Sequence, residues 1–247
     1  MIVKEVYAKT ILSKSKVLRY TINPYIGCEH GCTYCYARFM KRFTGHPEKW
    51  GEFVDVKINA VSLLQCQVKR KRAGSVWISG VCDPYQPLEK EYELTRGCLE
   101  ILSRHGWPVT FQTKSPLILR DIDLLTKSKE IEAGLTITTA DEHIRRIFEP
   151  NSPPIEERVK ALEKLHSEGV GTYAMIAPLL PEAEGLVTEL DGKVDHVIID
   201  RMNYHYGDWV YRKHKLEYAM SEGFFIQKKM ELHNAFRKKG IPCQVLF

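Results

Sequence analysis

The chain has 247 residues and a formal net charge of +5, with 44% hydrophobic and 27% charged residues. This composition excludes a disordered or collagen-like chain, and no apolar run approaches the roughly 18 to 20 residues that a membrane span requires. Residues 1–16 lack the apolar core and small-residue cleavage site of a signal peptide, so a cytoplasmic protein without a membrane partner is expected.

Short β-rich runs alternate with amphipathic stretches along the chain. The β-rich runs cover residues 19–23, 75–80, 108–114, 133–139, 170–177 and 195–200. Helices are predicted over residues 58–73, 91–106 and 155–169, the last two closed by a glycine. Strands separated by helices of this length predict a parallel sheet with right-handed crossovers. About six such units, against eight in a complete barrel, predict an α/β fold, a partial open (β/α)6 TIM-like barrel with parallel strands.

One domain over residues 1–247 is predicted, because no linker interrupts the alternation. Its core is expected at about residues 18–200, followed by a basic, aromatic C-terminal extension over residues 201–247. Function in such a fold resides at the carboxyl ends of the strands, so the residues that follow each β-rich run are the candidates.

Three cysteines lie within eight residues directly after the first run, at positions 28, 32 and 35. Disulfides are disfavoured, because the seven cysteines are an odd number and these three are too close together to link distant segments. Thiolates on one loop can reach three corners of an iron–sulfur cluster, and Gly27 and Gly31 let the backbone wrap closely around it. A zinc site completed by His30 or a distant cysteine, or chance clustering, are the alternatives, although no second C-x2-C knuckle is present.

The stretch "CEHGCTYC" resembles the signature C-x3-C-x-aromatic-C of the radical S-adenosylmethionine (SAM) superfamily, with Tyr34 as the aromatic residue. The resemblance implies an enzyme with a [4Fe–4S] cluster on Cys28, Cys32 and Cys35, whose open iron chelates SAM. It further implies that the reduced cluster cleaves SAM to methionine and a 5′-deoxyadenosyl radical. A reductant such as a ferredoxin or flavodoxin is the implied partner.

A narrower resemblance covers most of residues 18–180 and is carried by "DPYQPLEKEYELTRGCLEIL", "TKSPLILRDIDLL", "LTITTAD" and "FEP". These stretches are similar to the spore photoproduct lyase-related group, often labelled DNA repair photolyase-like proteins. The resemblance implies that Tyr36 relays a hydrogen atom and that Cys82, which precedes Asp83, donates one. The alternative for Cys82 is a plain buried thiol, since free cysteines behave as small hydrophobes.

The same resemblance implies the contacts to SAM. It implies that Lys114 and Arg158 contact the carboxylate of SAM and that the "SGVCDP" stretch contacts its amino group. The end of the fourth β-rich run is implied to contact the ribose and methionine groups. The implied residues are Tyr34, Ser79, Gly80, Asp83, Lys114, Thr138, Thr139 and Arg158. This chain lacks the Gly-Gly-Glu-like stretch that the superfamily usually carries for the amino group. Solvated side chains for Lys114 and Arg158 are the alternatives.

The charge is uneven along the chain. Residues 1–72 carry 14 Lys/Arg against 5 Asp/Glu, and residues 201–247 carry 9 against 4. In residues 201–215, four aromatic side chains alternate with cations. A surface that binds a flipped or single-stranded base requires this combination of stacking rings and positive charge. The alternative for the charges is an ordinary solvated helix surface, and the alternative for the aromatic residues is a buried position in the core.

Cys66 and Cys98 lie within helical patterns and are expected in the core.

The substrate class that the resemblance and the basic ends favour is a nucleic acid. Radical modification of a peptide, a protein or a small molecule is the alternative enzymatic reading. The alternative of another class is a non-catalytic iron–sulfur electron-transfer or sensor protein, which a SAM-binding assay would distinguish.

Overall fold

The computed structural model describes residues 1–247 and divides into two compact units. The first unit consists of Met1–His30 and Ala37–Ala133, and the second consists of Gly31–Tyr36 and Gly134–Phe247. The short segment Gly31–Tyr36 therefore belongs to the second unit although its flanking residues belong to the first. The single domain over residues 1–247 stays a prediction.

The chain forms eleven β-strands, nine α-helices and five short 3-10 helices. The strands are β1 Ile2–Val6, β2 Ser13–Lys14, β3 Tyr20–Ile22, β4 Tyr25–Ile26, β5 Phe53–Lys57, β6 Val76–Ile78, β7 Val109–Thr113, β8 Ile131–Thr136, β9 Gly171–Ile176, β10 His196–Ile199 and β11 Cys243–Val245. The α-helices are α1 Ala60–Val68, α2 Glu89–Tyr92, α3 Leu94–Arg104, α4 Ile122–Leu125, α5 Glu142–Phe148, α6 Ile155–Ser167, α7 Leu186–Glu189, α8 Asp208–Lys213 and α9 Glu222–Lys238. The 3-10 helices are Tyr36–Phe43, Pro116–Asp121, Ala183–Gly185, His205–Gly207 and Glu217–Met220.

The first unit contains two sets of paired strands. In one set, β5 lies between β1, to which it is parallel, and β4, to which it is antiparallel. In the other, the order is β2, β3, β6, β7; β2 and β3 are antiparallel, whereas β3, β6 and β7 are parallel. Alternate residues of β7 are buried, as the two-residue period of a strand requires.

The second unit contains the strand order β8, β9, β10, β11, in which β9, β10 and β11 are parallel. Helix α6 precedes β9 and buries Val159, Leu162 and Leu165, which recur at the spacing of one helix face. The helix is followed by Gly169, whose φ of 74° is a conformation that glycine adopts without steric cost.

The predicted α/β fold with parallel strands in an open sheet is confirmed. All six β-rich runs contain a strand, and β2 and β11 each have a single neighbour, so the sheet is not closed. The helix predicted over residues 91–106 begins only at Leu94, because Glu93 has a left-handed φ of 49° and separates α3 from α2. Strands β1, β5 and β11 were outside the predicted runs. No helix is both long enough and apolar enough to span a membrane.

Gly134 in β8 provides a test of the packing in the second unit. A Cβ atom at this position would lie 2.2 Å from the ring of Tyr173, which is buried and stacked on His196 with ring centroids 5.5 Å apart. We expect Gly134→Ala to lower the free energy of unfolding by about 1–3 kcal/mol, because the enclosed ring must move.

The matched control is Gly223→Ala near the start of α9, where the added Cβ would meet only the Ser221 hydroxyl at 4.0 Å. This variant should be as stable as the parent or more stable, since alanine favours a helix. Thermal or denaturant melting of both variants checks the expectation, and equal melting of Gly134→Ala and the parent would contradict it.

Candidate active site

The first part of the cysteine loop lies in the first unit and is shaped by Gly27. Gly27 has a φ of 95°, and a Cβ atom there would lie 2.3 Å from the carbonyl oxygen of Phe53 in β5. Only glycine therefore permits this close approach, which places Cys28 directly after the turn. Cys28 is buried, and the buried Gln86 side chain donates a hydrogen bond to the Gly27 carbonyl at 3.4 Å.

The second part of the loop lies in the second unit. Gly31 has a φ of 58°, Cys32 is buried and Cys35 is half-buried. The backbone N–H of Cys35 donates to the carbonyl of Cys32 at 3.2 Å, which makes a tight turn. Thr33 anchors this turn, because its N–H and its hydroxyl both donate to the carbonyl of Phe148, at 2.9 and 3.1 Å.

The donor set fits an iron–sulfur cluster in its chemistry. Cysteine thiolates are the ligands that such clusters use, Cys28 and Cys32 are each buried within their own unit, and Cys28 directly follows the turn that Gly27 permits. Neither unit by itself contains three or more His, Cys, Asp or Glu side chains grouped to hold a metal ion. The assignment of the cluster to Cys28, Cys32 and Cys35 stays a prediction.

Asp83 is the hydrogen-bonding centre of the first unit's strand exits. Its buried carboxylate accepts hydrogen bonds from the Thr113 hydroxyl at 2.5 Å and from the backbone N–H groups of Lys114 and Tyr85, both at 2.9 Å. The buried His30 ring lies 3.3 Å from the same carboxylate. Asp83 therefore joins the cysteine loop to the end of β7.

Burial alone would raise the pKa of Asp83, but the charge and hydrogen bond of His30 and the hydrogen bonds from Thr113 and Lys114 outweigh it and hold the pKa at about 2. A carboxyl group whose pKa is lowered on folding stabilises the folded state above its unfolded pKa of about 3.9. That contribution is lost as the pH falls from about 4 towards 2, so Asp83 is ionised throughout the neutral range.

The exit of β6 carries three of the predicted residues. Ser79 has a left-handed φ of 62°, and its buried hydroxyl has no oxygen or nitrogen partner in the structure. Gly80 follows it, and an added Cβ would make only ordinary contacts with Trp77 there. Burial of the Cys82 thiol raises its pKa to about 11, although a hydrogen bond with Ser79 and the Lys57 charge act in the opposite direction, so the thiol is protonated at neutral pH.

Glu149 is the corresponding centre of the second unit. This fully buried carboxylate accepts hydrogen bonds from the hydroxyls of Tyr34, Thr138 and Ser152. Burial and the adjacent Glu149 charge raise the pKa of Tyr34 well above its usual value. The phenol of the cysteine loop is therefore a neutral hydrogen-bond donor inside the protein.

Arg158 neutralises Glu149 and is also fully buried, so the alternative of a solvated side chain for this arginine was wrong. Its guanidinium lies 2.6 Å from the Glu149 carboxylate. It also donates to the Thr136 carbonyl at 3.0 Å, to the Ser152 hydroxyl at 2.6 Å and to the Pro153 carbonyl at 2.9 Å. These contacts make Arg158 a residue that positions Glu149, and its contact with SAM stays a prediction.

Thr139 and Tyr36 have partners other than Glu149. The buried hydroxyl of Thr139 donates to the Pro181 carbonyl at 2.6 Å and accepts from the N–H of Asp141 at 3.1 Å, so it shapes the turn after β8. Tyr36 is 44% exposed and stacks on Tyr204.

Sequence reasoning missed the two residues that hold these contacts together. Glu149 lies in the "FEP" stretch, and His30 had been considered only as a zinc ligand. An acidic residue in an apolar stretch just before a proline loop is the signal that could have indicated Glu149. Cys98 is buried as expected, whereas Cys66 is exposed on α1, so its predicted core position was wrong. Of the four aromatic residues within 201–215, Tyr211 is buried, and Tyr204, Tyr206 and Trp209 are exposed.

Comparison with known proteins identifies relatives of the chain. A family model described as the radical SAM superfamily matches residues 22–185. An uncharacterized protein of Methanocaldococcus jannaschii is 38% identical over 180 residues, which cover 72% of this chain and 68% of that protein. An uncharacterized protein of Mycobacterium tuberculosis is 28% identical over 199 residues, or 76% of this chain, and the match spans 58% of that protein's length.

Solved structures share the fold. Spore photoproduct lyase complexed with dinucleoside spore photoproduct has a TM-score of 0.73 at 12% identity, covering 99% of this chain and 82% of the lyase. A variant of that lyase with bound AdoMet and the same dinucleoside has a TM-score of 0.68 at 14% identity, covering 99% and 81%. At these identities the likeness shows a common fold.

The Glu149–Arg158 pair should be a main source of stability in the second unit. We expect Glu149→Ala to lower the free energy of unfolding by about 3–5 kcal/mol, because it leaves the Arg158 charge buried without its carboxylate. Glu156→Ala on the same helix α6 is the control, since its ion pair with Lys160 is exposed and should leave the melting midpoint unchanged. Equal denaturant midpoints for the two variants would rule out this role.

The raised pKa of Cys82 should be visible in its reactivity. Because only the thiolate is alkylated, the rate of iodoacetamide labelling at Cys82 should rise with pH until about pH 11. Mass spectrometry of cluster-free protein, resolved by cysteine, measures this rate, with the exposed Cys66 as internal reference. A labelling rate at Cys82 that levels off near pH 8 would show that the pKa of this thiol is not raised.

Proposed function

The chain belongs to the radical SAM superfamily, and we propose that it is an enzyme that uses reductive cleavage of SAM to abstract hydrogen from a nucleic-acid substrate. Membership implies a [4Fe–4S] cluster and SAM as cofactors, together with an external reductant. A ferredoxin or flavodoxin is the proposed reductant. The observation that carries the proposal is the three-cysteine loop, which lies inside the matched segment 22–185.

The cluster and SAM, when bound, supply a one-electron reduction that releases methionine and a 5′-deoxyadenosyl radical. In this proposal Cys28, Cys32 and Cys35 provide the thiolates, and three ligands leave one iron for the amino acid end of SAM. Gly27 permits the close backbone turn, and Thr33 ties the Cys32–Cys35 turn to Phe148.

Residues at the strand exits are proposed to hold SAM. The buried Ser79 hydroxyl has no oxygen or nitrogen partner, and besides its hydrogen bond with the Cys82 thiol it can bind a polar group of the ligand. The Asp83 carboxylate is anionic at neutral pH and suits the SAM ammonium, and Gly80 is proposed to contact the same end of SAM. Lys114 suits the SAM carboxylate as a compact cation, and its backbone N–H is fixed by Asp83.

The second unit is proposed to contribute residues that hold and orient SAM. Tyr34 and Thr138 are both fixed by hydrogen bonds to Glu149, which Arg158 neutralises. We propose that Thr138 and Thr139 face the ribose and methionine groups of SAM, with Tyr34 and Arg158 completing that side. Preorganised donors of this kind cost little reorganisation when the ligand binds.

Hydrogen transfer after cleavage is proposed to involve Cys82 and Tyr36. A thiol can donate a hydrogen atom only while it carries its proton, and the raised pKa of Cys82, about 11, keeps that proton in place at neutral pH. Tyr36 directly follows the third cysteine of the motif and is half-exposed, so its phenol is accessible to a substrate.

Two observations support a nucleic-acid substrate. The neighbouring spore photoproduct lyase structure contains a dinucleoside photoproduct, and both ends of the present chain are basic. Cationic segments of this kind attract a phosphate backbone in a salt-dependent way.

The test is the formation of 5′-deoxyadenosine by anaerobically reconstituted protein with SAM and dithionite. We expect product from the parent and from Cys66→Ala, whose cysteine is exposed on α1, and about a hundredfold less or none from Cys32→Ala. Iron and sulfide analysis of each protein shows how much cluster it carries. A parent with a full cluster that forms no 5′-deoxyadenosine, with or without nucleic acid, would refute the proposed chemistry and favour an electron-transfer or sensor protein.

A further inference from the structure

Three tyrosines form a continuous row on the surface of the second unit. The rings of Tyr36 and Tyr204 are stacked with centroids 5.8 Å apart and an angle of 21° between their planes. The rings of Tyr204 and Tyr206 are stacked at 6.2 Å and 15°. These three residues are called the tyrosine row, and the rings are nearly parallel along its whole length.

The tyrosine row is unusually exposed for aromatic side chains. Tyr36, Tyr204 and Tyr206 are 44%, 52% and 39% exposed, and the nearby Trp209 is 52% exposed. Aromatic rings gain most from burial, and a contiguous exposed group of them marks a surface that binds a partner. None of these four rings takes part in the core of the unit.

The row is held in place by buried neighbours. Gly207 packs against Tyr34, where a Cβ atom would lie 3.3 Å from the Tyr34 Cβ, so the 3-10 turn His205–Gly207 lies directly against the cysteine loop. Helix α8 then buries Val210 and Tyr211, and the Tyr211 ring meets Phe148 with centroids 4.7 Å apart. Because these contacts anchor the segment, the row is a preformed surface.

The charge of the segment is positive. Residues 201–215 contain four Lys/Arg and a single carboxylate, Asp208. Asp208 lies 3.1 Å from His205 and 3.9 Å from Arg212, so its charge is partly neutralised. Arg201 is engaged by Glu222 at 2.7 Å, whereas Arg212, Lys213 and Lys215 are exposed. The exposed cations of this segment are therefore Arg212, Lys213 and Lys215.

We infer that the tyrosine row, with Arg212 and Lys213, is a binding platform for unpaired nucleotides of a single-stranded nucleic acid. The inference rests on the function proposed above and identifies the form of its substrate. Because Tyr204 is stacked between its two neighbours, nucleobases stack on the outer faces of Tyr36 and Tyr206 at the two ends of the row, and the cations contact the phosphates between them. Tyr36 ends the row next to Cys35, so a strand stacked on it leads to the cysteine loop.

Chemistry favours a single strand over the other partners. In a duplex the base faces are covered by their neighbours, so exposed ring faces offer stacking only to bases that are unpaired. A peptide could stack an aromatic side chain on the row, but cations beside it would then require a regular supply of acidic residues. A phosphodiester strand supplies a π face and an anion in every repeat.

The experiment measures binding of a fluorescent oligothymidylate of about 12 nucleotides to the reconstituted full chain by anisotropy, without SAM or reductant. We expect the Tyr204→Ala, Tyr206→Ala double variant to bind at least about tenfold more weakly than the parent, because the terminal Tyr206 ring and the Tyr204 ring that supports Tyr36 are both lost. Tyr7→Ala removes a tyrosine that is 79% exposed in the first unit and should bind like the parent. Melting curves confirm that all three proteins are folded.

Two further measurements test how the nucleic acid binds. Affinity of the parent should fall steeply between about 50 and about 200 mM salt, and a matched duplex should bind more weakly than the single strand. Absence of binding, equal binding by the double variant and the parent, or a preference for the duplex or for an acidic aromatic peptide would each overturn the inference. Formation of 5′-deoxyadenosine is assayed separately, so a parent that cleaves SAM without binding the strand refutes the platform alone, and one that binds without cleaving refutes the proposed chemistry alone.

Discussion

The buried ion pair between Glu149 and Arg158 is the interaction on which the second unit depends. Two charges removed from water are stable only when each is paired and hydrogen-bonded, and both conditions are met here. The pair joins three segments that are distant in sequence, because Tyr34 belongs to the cysteine loop, Thr138 follows β8, and Arg158 lies on α6. Because the buried Glu149 carboxylate needs hydrogen-bond donors as well as the Arg158 charge, its bond with the Tyr34 hydroxyl fixes the position of Tyr34 in the cysteine loop.

The first unit also contains a buried, ionised carboxylate that is surrounded by hydrogen-bond donors. Asp83 is buried and ionised, and it accepts from side-chain and backbone donors at the exit of β7 while it pairs with His30 of the cysteine loop. In both units a buried carboxylate thus collects hydrogen-bond donors at the carboxyl ends of strands. Sites on α/β sheets lie at these ends, because the loops there can vary while the strands stay fixed.

The aromatic residues illustrate how one segment serves the interior and the surface. In α8 and the turn before it, Tyr211 and Val210 face the core, while Tyr204, Tyr206 and Trp209 face solvent. The interior side chains fix the segment against Phe148 and Tyr34, and that rigidity gives the exposed rings a defined position. A platform held in this way loses little conformational entropy on binding, which favours its use as a recognition surface.

The amino-acid sequence alone determined the strand and helix alternation, the α/β class with an open parallel sheet, and the cysteine motif that identifies the superfamily. These features are local, because they depend on hydrophobic period, on glycine and on residue spacing. The strands β1, β5 and β11 could not be assigned, since their stability comes from partners distant in sequence. Only the tertiary structure decided that His30 and Glu149 each take part in a buried hydrogen-bond network of their own unit, that Arg158 is buried, and that Tyr204 and Tyr206 are exposed in a row with Tyr36. The reason is that burial and pairing of a charged or aromatic side chain depend on which other segments fold against it, and a single linear sequence does not state this.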